Sequence, residues 1–223
     1  MGRDVVRKSP RDMLGTEKPL YSQGLEEVIV RDFFQDRRGG FFADVGSAHP
    51  VEHSTTSYLE RHLGWSGVGV DALPEYAPRY EELRPGTRFR NYIVSDHSGT
   101  IEGFYRVKSA EGLSSIDPDR AFGGRTLASE RIEVATITLD ELLDGEGVER
   151  IDFLSMDVEE STLVALSAFT LGRFRPELVC IEVGGPRRGH RGPVEEYFAH
   201  NGYERVPKYR DLKRANWWFR PIA

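Results

Sequence analysis

Apolar and polar positions follow two rhythms along this chain. Short, nearly continuous apolar runs that stop at an acid or a turn residue alternate with stretches of helical spacing. Phe41–Val45, Gly67–Asp71, Arg88–Val94, Ile132–Ile137, Ile151–Met156 and Leu178–Val183 are such runs, and they read as strands buried on both faces. Between them, Leu25–Phe34, Ser54–Leu63, Pro74–Leu83, Leu139–Leu143, Glu159–Phe169 and Pro193–His200 carry helical patterns. Ser54 or Thr55 is available as an N-cap for the second of these. Pro74 sits where its missing N–H costs little. Asp96-His-Ser-Gly99 is turn chemistry, leading into Thr100–Val107, an alternating strand that reads as a hairpin partner of the strand before it. Tyr203–Val206 and Asn216–Phe219 form a closing pair of strands near the end of the chain.

Strands alternating with helices imply an α/β, Rossmann-like fold, a mostly parallel sheet with helices on both faces. The two strands after the last helix point to an antiparallel element there. Residues 1–20 are polar, contain Pro10 and Pro19, and read as a flexible N-terminal lead-in; residues 21–223 read as one domain. Residues 108–131 form the longest irregular stretch, and a long loop in a compact domain is more often functional than idle.

Composition narrows the field. With 223 residues there is room for one large core. A net charge of -6 argues against a nucleic-acid partner. Cys180, the single cysteine, lies in an apolar run, reads as core packing, and fits a cytoplasmic location. No apolar run spans a membrane, the basic N-terminus lacks the apolar segment of a secretory signal, and Val6 fails the myristoylation pattern.

The chemistry concentrates at strand ends. In open α/β sheets ligands sit beyond the carboxyl ends of the strands. Phe41-Phe-Ala-Asp-Val-Gly-Ser-Ala-His-Pro50 places Asp44 and Gly46 at one such end, and Val68-Gly-Val-Asp71 places Asp71 at the next. A glycine lets the backbone approach a ligand closely, and an acid ending the second strand suits ribose hydroxyls. The competing reading is a helix-capping acid and a turn glycine. The later glycines of a dinucleotide loop are missing, which disfavours NAD and a nucleotide-dependent oxidoreductase. Asp157 and Glu182 follow or end two further strands. They read as a base and its neighbour, or as two oxygen ligands for Mg²⁺; the alternatives are a helix cap and a salt bridge. His49, His53, His62, His97, His190 and His200 show no metalloprotease spacing, so zinc is not expected. The glycine-rich basic loop from Gly184 to Gly192 reads as a solvated loop or a lid, and Trp217-Trp218 as core.

Five runs belong together: Phe42-Ala-Asp-Val-Gly-Ser-Ala-His-Pro50, Ser54-Thr-Thr-Ser-Tyr-Leu-Glu60, Leu63-Gly-Trp-Ser-Gly-Val-Gly-Val-Asp-Ala72, Thr136-Ile-Thr-Leu-Asp-Glu-Leu-Leu143 and Ile151-Asp-Phe-Leu-Ser-Met-Asp-Val-Glu159. In combination they resemble the FkbM family of S-adenosylmethionine-dependent methyltransferases. The resemblance covers residues 21–206 and implies a class I methyltransferase with a seven-stranded sheet whose last strand is antiparallel. It implies that Asp44, Gly46 and Ser47 approach the methionine part of S-adenosylmethionine, that Asp71 holds the ribose, and that Ser95 and Asp96 lie near the adenine. His49, Ser54, Thr56 and Ala72 complete the implied cofactor set, and Asp157, Glu159 and Glu182 the implied catalytic set. Tyr21-Ser-Gln23 resembles a segment covering the site, or else caps the first helix, and Gly112-Leu-Ser-Ser115 resembles a family element near the site. The acceptor it implies is a hydroxyl on a small molecule, sugar or natural product. Two departures stand out. Glu160 and Thr162 replace the family's glycine and second acid, which opens the alternative of a catalytically weakened binding member, and Thr55 replaces an asparagine.

Overall fold

In chain order the elements are α1 (Glu26–Phe34), β1 (Phe41–Val45), α2 (Ser57–Leu63), β2 (Ser66–Asp71), a 3-10 turn (Pro74–Tyr76), α3 (Ala77–Leu83), β3 (Thr87–Asn91), β4 (Ile93–Val94), β5 (Ile101–Arg106), β6 (Glu130–Ile137), α4 (Leu139–Gly145), β7 (Phe153–Met156), α5 (Thr162–Ser167), α6 (Leu171–Phe174), β8 (Leu178–Glu182), α7 (Arg191–His200), β9 (Tyr203–Arg205), a 3-10 turn (Pro207–Tyr209) and β10 (Asn216–Pro221). The structure is a computed structural model that describes residues 17–24, 26–107, 114–116, 128–158, 161–183, 191–210 and 215–222.

Seven strands make one sheet in the order β3-β2-β1-β7-β8-β10-β9. β10 runs antiparallel to both of its neighbours, and the pairs from β3 through β8 are parallel. This is the mostly parallel sheet with an antiparallel last strand that the sequence pattern implies.

The pleat sorts side chains into two cores. Ala43, Val45, Leu154, Met156, Val179, Ile181 and Phe219 face α4 to α7. Phe42, Phe153, Leu178, Cys180 and Trp218 face α1 and α2. Each of the Val, Leu, Ile, Met and Phe side chains among them contributes roughly 1.5–3 kcal/mol through burial. Trp217 and Trp218 are both buried, one in each core, and Cys180 is a buried thiol in no disulfide.

Several boundaries differ from the pattern. The run read as one strand over 88–94 breaks at Tyr92. β3 ends at Asn91, the Tyr92 N–H donates to the Asp71 carbonyl at 3.1 Å, and β4 leaves the large sheet to pair with β6. The strand over 100–107 is not a hairpin partner of its predecessor, because β5 pairs antiparallel with β6 from Ile101↔Ala135 to Arg106↔Glu130. The cause is tertiary. β6 is the middle strand of a second, three-stranded sheet, and its buried Val134 packs with Ile93 and Ala72. The helix expected over 159–169 is described as α5 from Thr162; residues 159–160 lie outside the described residues.

Candidate functional site

Four adjacent strands bring carboxylates to one edge of the sheet. Asp71 ends β2, Asp44 is the penultimate residue of β1, Asp157 follows β7, and Glu182 ends β8. All four line a single cavity of about 1070 Å³. The position is the crevice beyond the carboxyl ends of a parallel sheet.

Asp44 is buried, and its Oδ2 accepts the Thr56 hydroxyl at 2.7 Å. Burial holds its carboxyl above the usual aspartate range, while the Thr56 hydroxyl, the Arg84 charge and the Ser155 hydroxyl pull it back. Thr56 in turn accepts Arg84 Nη2 at 3.1 Å, and Ser54 Oγ accepts both the Ser57 N–H and Arg84 Nη1. Ser54 therefore serves the start of α2 through Ser57, whereas the N-cap position itself is Thr56, whose side chain makes no capping bond.

Asp71 is clamped by backbone. Its Oδ2 accepts the Ala48 N–H and its Oδ1 the Leu73 N–H, both at 2.9 Å. Even so, burial pushes its carboxyl up to about 6, with Asp44 and Glu75 adding to the rise. Ala48 and His53 hold positive φ, 46° and 63°. Left-handed backbone at non-glycine residues clusters at functional sites and persists where neighbours over-determine it. The Asp71–Ala48 bond and a bridge between Ser22 and His53 do so here. His49 Nδ1 accepts the Val51 and Glu52 amides at 3.2 and 2.9 Å, which places its ring proton on Nε2.

Gly46 is needed for a reason the sequence did not disclose. Its φ is 76°, and its own N–H and that of Ser47 donate to the Val70 carbonyl at 2.9 and 3.1 Å. The close approach it permits is to the backbone of Asp157, at the end of the adjacent strand. Ser47 is buried, its carbonyl accepts the Tyr80 hydroxyl, and its Oγ lacks a hydrogen-bond partner among the described residues.

The sequence-predicted residues divide accordingly. Asp44, Gly46, Ser47, His49, Ser54, Asp71, Ala72, Asp157 and Glu182 all line the cavity; Thr56 stands behind Asp44. Ser95 and Asp96 are not brought to it. Ser95 N–H donates to the Ile137 carbonyl of the second sheet, and exposed Asp96 pairs with His97 at 2.7 Å, an interaction that lowers the Asp96 pKa. At that end the wall is instead Tyr92, Ile93, Val94 and Phe104. Glu159 lies outside the described residues, as do Gly112, Leu113 and the loop 184–190. Of the two departures from the family pattern, Thr162 is buried and is not among the lining residues, and Glu160 lies outside the described residues.

Sequence reasoning missed Arg84, Glu26 and Asn216. Glu26, at the head of α1, is buried in the cavity wall and accepts Asn216 Nδ2 at 2.8 Å. Tyr21–Gln23 both covers and caps. Ser22 Oγ accepts the Glu26 N–H, Glu27 accepts the Tyr21 and Ser22 amides, and Gln23 lines the cavity. The sequence signal for this was Ser22 followed by the paired acids Glu26 and Glu27.

The arrangement fits S-adenosylmethionine. A sulfonium and an ammonium suit a cavity edged by carboxylates, and a nucleoside suits the apolar wall beside Asp71. The buried, unpartnered Ser47 hydroxyl offers a further polar contact. Among the described residues no group of three or more His, Cys, Asp or Glu side chains is arranged to hold a metal ion. Nor is any described helix long and apolar enough to cross a membrane.

No curated protein matches the chain. Among solved structures, a TehB-like S-adenosylmethionine-dependent methyltransferase from Corynebacterium glutamicum is 15% identical, with 92% of this chain and 90% of that one covered and a TM-score of 0.49. The 1,6-didemethyltoxoflavin-N1-methyltransferase of Burkholderia thailandensis, solved with 1,6-didemethyltoxoflavin and S-adenosylhomocysteine, is 13% identical over 89% and 77%, with a TM-score of 0.43. The precorrin-6y C5,15-methyltransferase of Geobacter metallireducens is 8% identical over 93% and 92%, with a TM-score of 0.48. The sequence profile of the methyltransferase FkbM domain matches residues 44–205, from the first strand-end acid to the end of β9, and the chain therefore belongs to the FkbM family of S-adenosylmethionine-dependent methyltransferases.

Proposed function

We propose that this chain transfers a methyl group from S-adenosylmethionine to a hydroxyl of a small molecule, sugar or natural product. The observation that carries the reading is the row of strand-end carboxylates, Asp71, Asp44, Asp157 and Glu182, opening on one cavity. Asp71 takes the ribose hydroxyls, because a carboxylate accepts two donors in charge-assisted bonds. Asp44, Gly46 and Ser47 take the methionine end, with His49, Ser54 and Thr56 shaping the loop and Ala72 flanking the nucleoside. Ser95 and Asp96 drop out of direct contact in this reading. The bound cofactor supplies an electrophilic methyl group on a sulfonium.

The chain's own part is placement and proton removal. Asp157, exposed at the cavity wall, accepts the acceptor's hydroxyl proton as general base. Glu182, one strand further along, orients that hydroxyl, and Glu159 is assigned to the same group. In-line displacement depends on holding nucleophile and leaving group in register, so positioning supplies much of the rate. The same reading takes residues 21–223 as one methyltransferase domain with residues 1–20 as lead-in. It works in the cytoplasm on a small molecule and not at a membrane, and the net charge of -6 argues against nucleic acid.

The test is product formation from a panel of hydroxylated acceptors, run alongside calorimetry with S-adenosylhomocysteine. Asp157→Ala should abolish turnover and leave cofactor binding intact. Undiminished turnover in that variant would refute the assigned base. An EDTA arm asks whether Asp157 and Glu182 share a Mg²⁺ ion.

A further inference from the structure

Arg84 lies just past α3 and is wholly buried. A guanidinium has five N–H donors, and here every one is used. Nε donates to Glu60 Oε2 at 2.5 Å. Nη1 donates to the Pro50 carbonyl at 2.8 Å and to Ser54 Oγ at 3.2 Å. Nη2 donates to Thr56 Oγ1 at 3.1 Å and to Thr87 Oγ1 at 2.9 Å. Glu60 is held in turn by the Gly86 N–H and the Thr87 hydroxyl. Three of the five acceptors, Pro50, Ser54 and Thr56, belong to the loop between β1 and α2, whose other side edges the cavity.

Two of these contacts do more than fasten the loop. Because Thr56 Oγ1 accepts from Arg84, its own proton is directed away from the guanidinium, and it is given to Asp44 Oδ2 at 2.7 Å. Arg84 Nη1 likewise holds Ser54 Oγ, which receives the Ser57 N–H and so fixes the first turn of α2. A lysine offers a point charge and three donors, and cannot serve these acceptors in one plane.

We propose that Arg84 is a positioning residue for cofactor binding, orienting the Thr56 hydroxyl so that Asp44 is held as an ionised acceptor at the methionine end of the cavity. This rests on the cofactor reading above. Asp44 faces Asp157 from the end of β7, Asp71 from β2, Tyr80 from α3 and Arg84 itself. Burial and the two neighbouring carboxylates oppose its charge, and the Thr56–Arg84 chain acts against them. Removing a link lets Asp44 take up a proton at higher pH. Affinity that requires the carboxylate is present above its pKa and is lost as pH falls through it, so the loss should begin at higher pH in the variant.

The experiment is calorimetry of S-adenosylhomocysteine binding to the full chain from about pH 5 to about pH 9. Thr56→Val keeps the shape and deletes the hydroxyl, leaving Arg84 four of its five acceptors. It should move the acid midpoint upward, weakening binding by up to about tenfold at pH values below the wild-type midpoint, the scale of one pKa unit, and leaving it nearly unchanged at the alkaline end. Thr56→Ser, which restores the hydroxyl, should recover the wild-type midpoint. In an Asp44→Asn background Thr56→Val should add no further pH effect. Arg84→Lys should shift the midpoint in the same direction as Thr56→Val, and because it disturbs a buried ion pair, Thr56→Val keeps the test valid if that variant does not fold. A Thr56→Val protein that binds as wild type does, or binds more weakly by the same factor at every pH, overturns the proposal and leaves Arg84 a structural clamp. A wild-type chain that binds no S-adenosylhomocysteine at any pH takes down the cofactor reading, and this inference with it.

Discussion

The backbone carbonyl oxygen of Asp157 lies 1.9 Å from the point a Cβ on Gly46 would occupy. The end of β1 and the end of β7 thus meet without room for a side chain, and the φ of 76° at Gly46 excludes one independently. The meeting fixes where Asp157 leaves its strand, and its N–H is tied to the Val45 carbonyl at 2.9 Å. Gly46→Ala should therefore cost stability twice, about 1–2 kcal/mol for left-handed backbone and about 1–3 kcal/mol for overpacking. A urea titration monitored by circular dichroism would show this as a lower midpoint with an unchanged slope. The variant should also lose turnover out of proportion to its loss of S-adenosylhomocysteine affinity, since it displaces Asp157.

Asp71 should give the folded protein a pH-dependent stability. Burial raises its carboxyl to about 6 from an ordinary value of 3.8. Between those values the folded state binds more protons than the unfolded state, so this group's contribution to stability falls as pH rises through the window. It is constant above it. Allowing for solvent at the cavity mouth, the change is on the order of 2 kcal/mol. Urea midpoints of the ligand-free protein from about pH 4 to about pH 7 should show this slope in the wild type and a flatter one in Asp71→Asn. Saturating S-adenosylhomocysteine should flatten this slope. In the proposed role Asp71 meets the ribose hydroxyls in its ionised form, so affinity should rise with pH through about 6 and lose that part of its pH dependence in Asp71→Asn.

What the sequence disclosed and what it concealed follow from how each is encoded. A strand buried on both faces must be written as an apolar run, so β1, β2, β7 and β8 and the acids at their ends were legible locally. The step at Tyr92 was not, because nothing in Asn91-Tyr-Ile-Val94 distinguishes a strand that continues from one that changes sheets. The change depends on β6, more than thirty residues away along the chain, and it carries Ser95 and Asp96 off with it. Arg84 was hidden by its type. An arginine followed by Pro85-Gly86 reads as exposed turn chemistry, and only the packing of loop 50–56 against β3 shows it buried and saturated. Glu26 was hidden too, because its place in the cavity wall needs β10, which arrives last in the chain.

That late arrival makes the Asn216–Glu26 contact a probe of how the first helix is tied to the last strand. Glu26 Oε1 accepts Asn216 Nδ2 at 2.8 Å, and its Oε2 accepts the Gly24 N–H at 2.8 Å. Asn216→Ala removes one donor from a buried carboxylate, and loss of a hydrogen bond to a charged group costs about 1.5–3 kcal/mol. Hydrogen exchange should locate the effect in residues 21–24 and the first turn of α1, ahead of any change in the core strands. Equal protection there in variant and wild type would show that the capping bonds of Ser22 and Glu27 suffice.

Thr138 supplies a contrast far from the cavity. It is the N-cap of α4, with extended backbone at φ -76° and ψ 151°, and its hydroxyl accepts the Glu141 N–H at 3.2 Å. This accounts physically for the Thr-Leu-Asp-Glu run, since a capping threonine is followed by acids in the first turn, where the helix dipole favours them. Asp140 of the same turn also accepts the Thr170 N–H at 2.8 Å, fastening α4 to the segment before α6. Thr138→Ala should cost about 1 kcal/mol of stability, read as a shift in urea midpoint. S-adenosylhomocysteine affinity and its pH profile should stay as in the wild type, because α4 packs on the core and contributes no residue to the cavity. A pH profile that moved in Thr138→Ala would mean that general destabilisation alone perturbs Asp44, and the shift expected of Thr56→Val would then lose its meaning as a local effect.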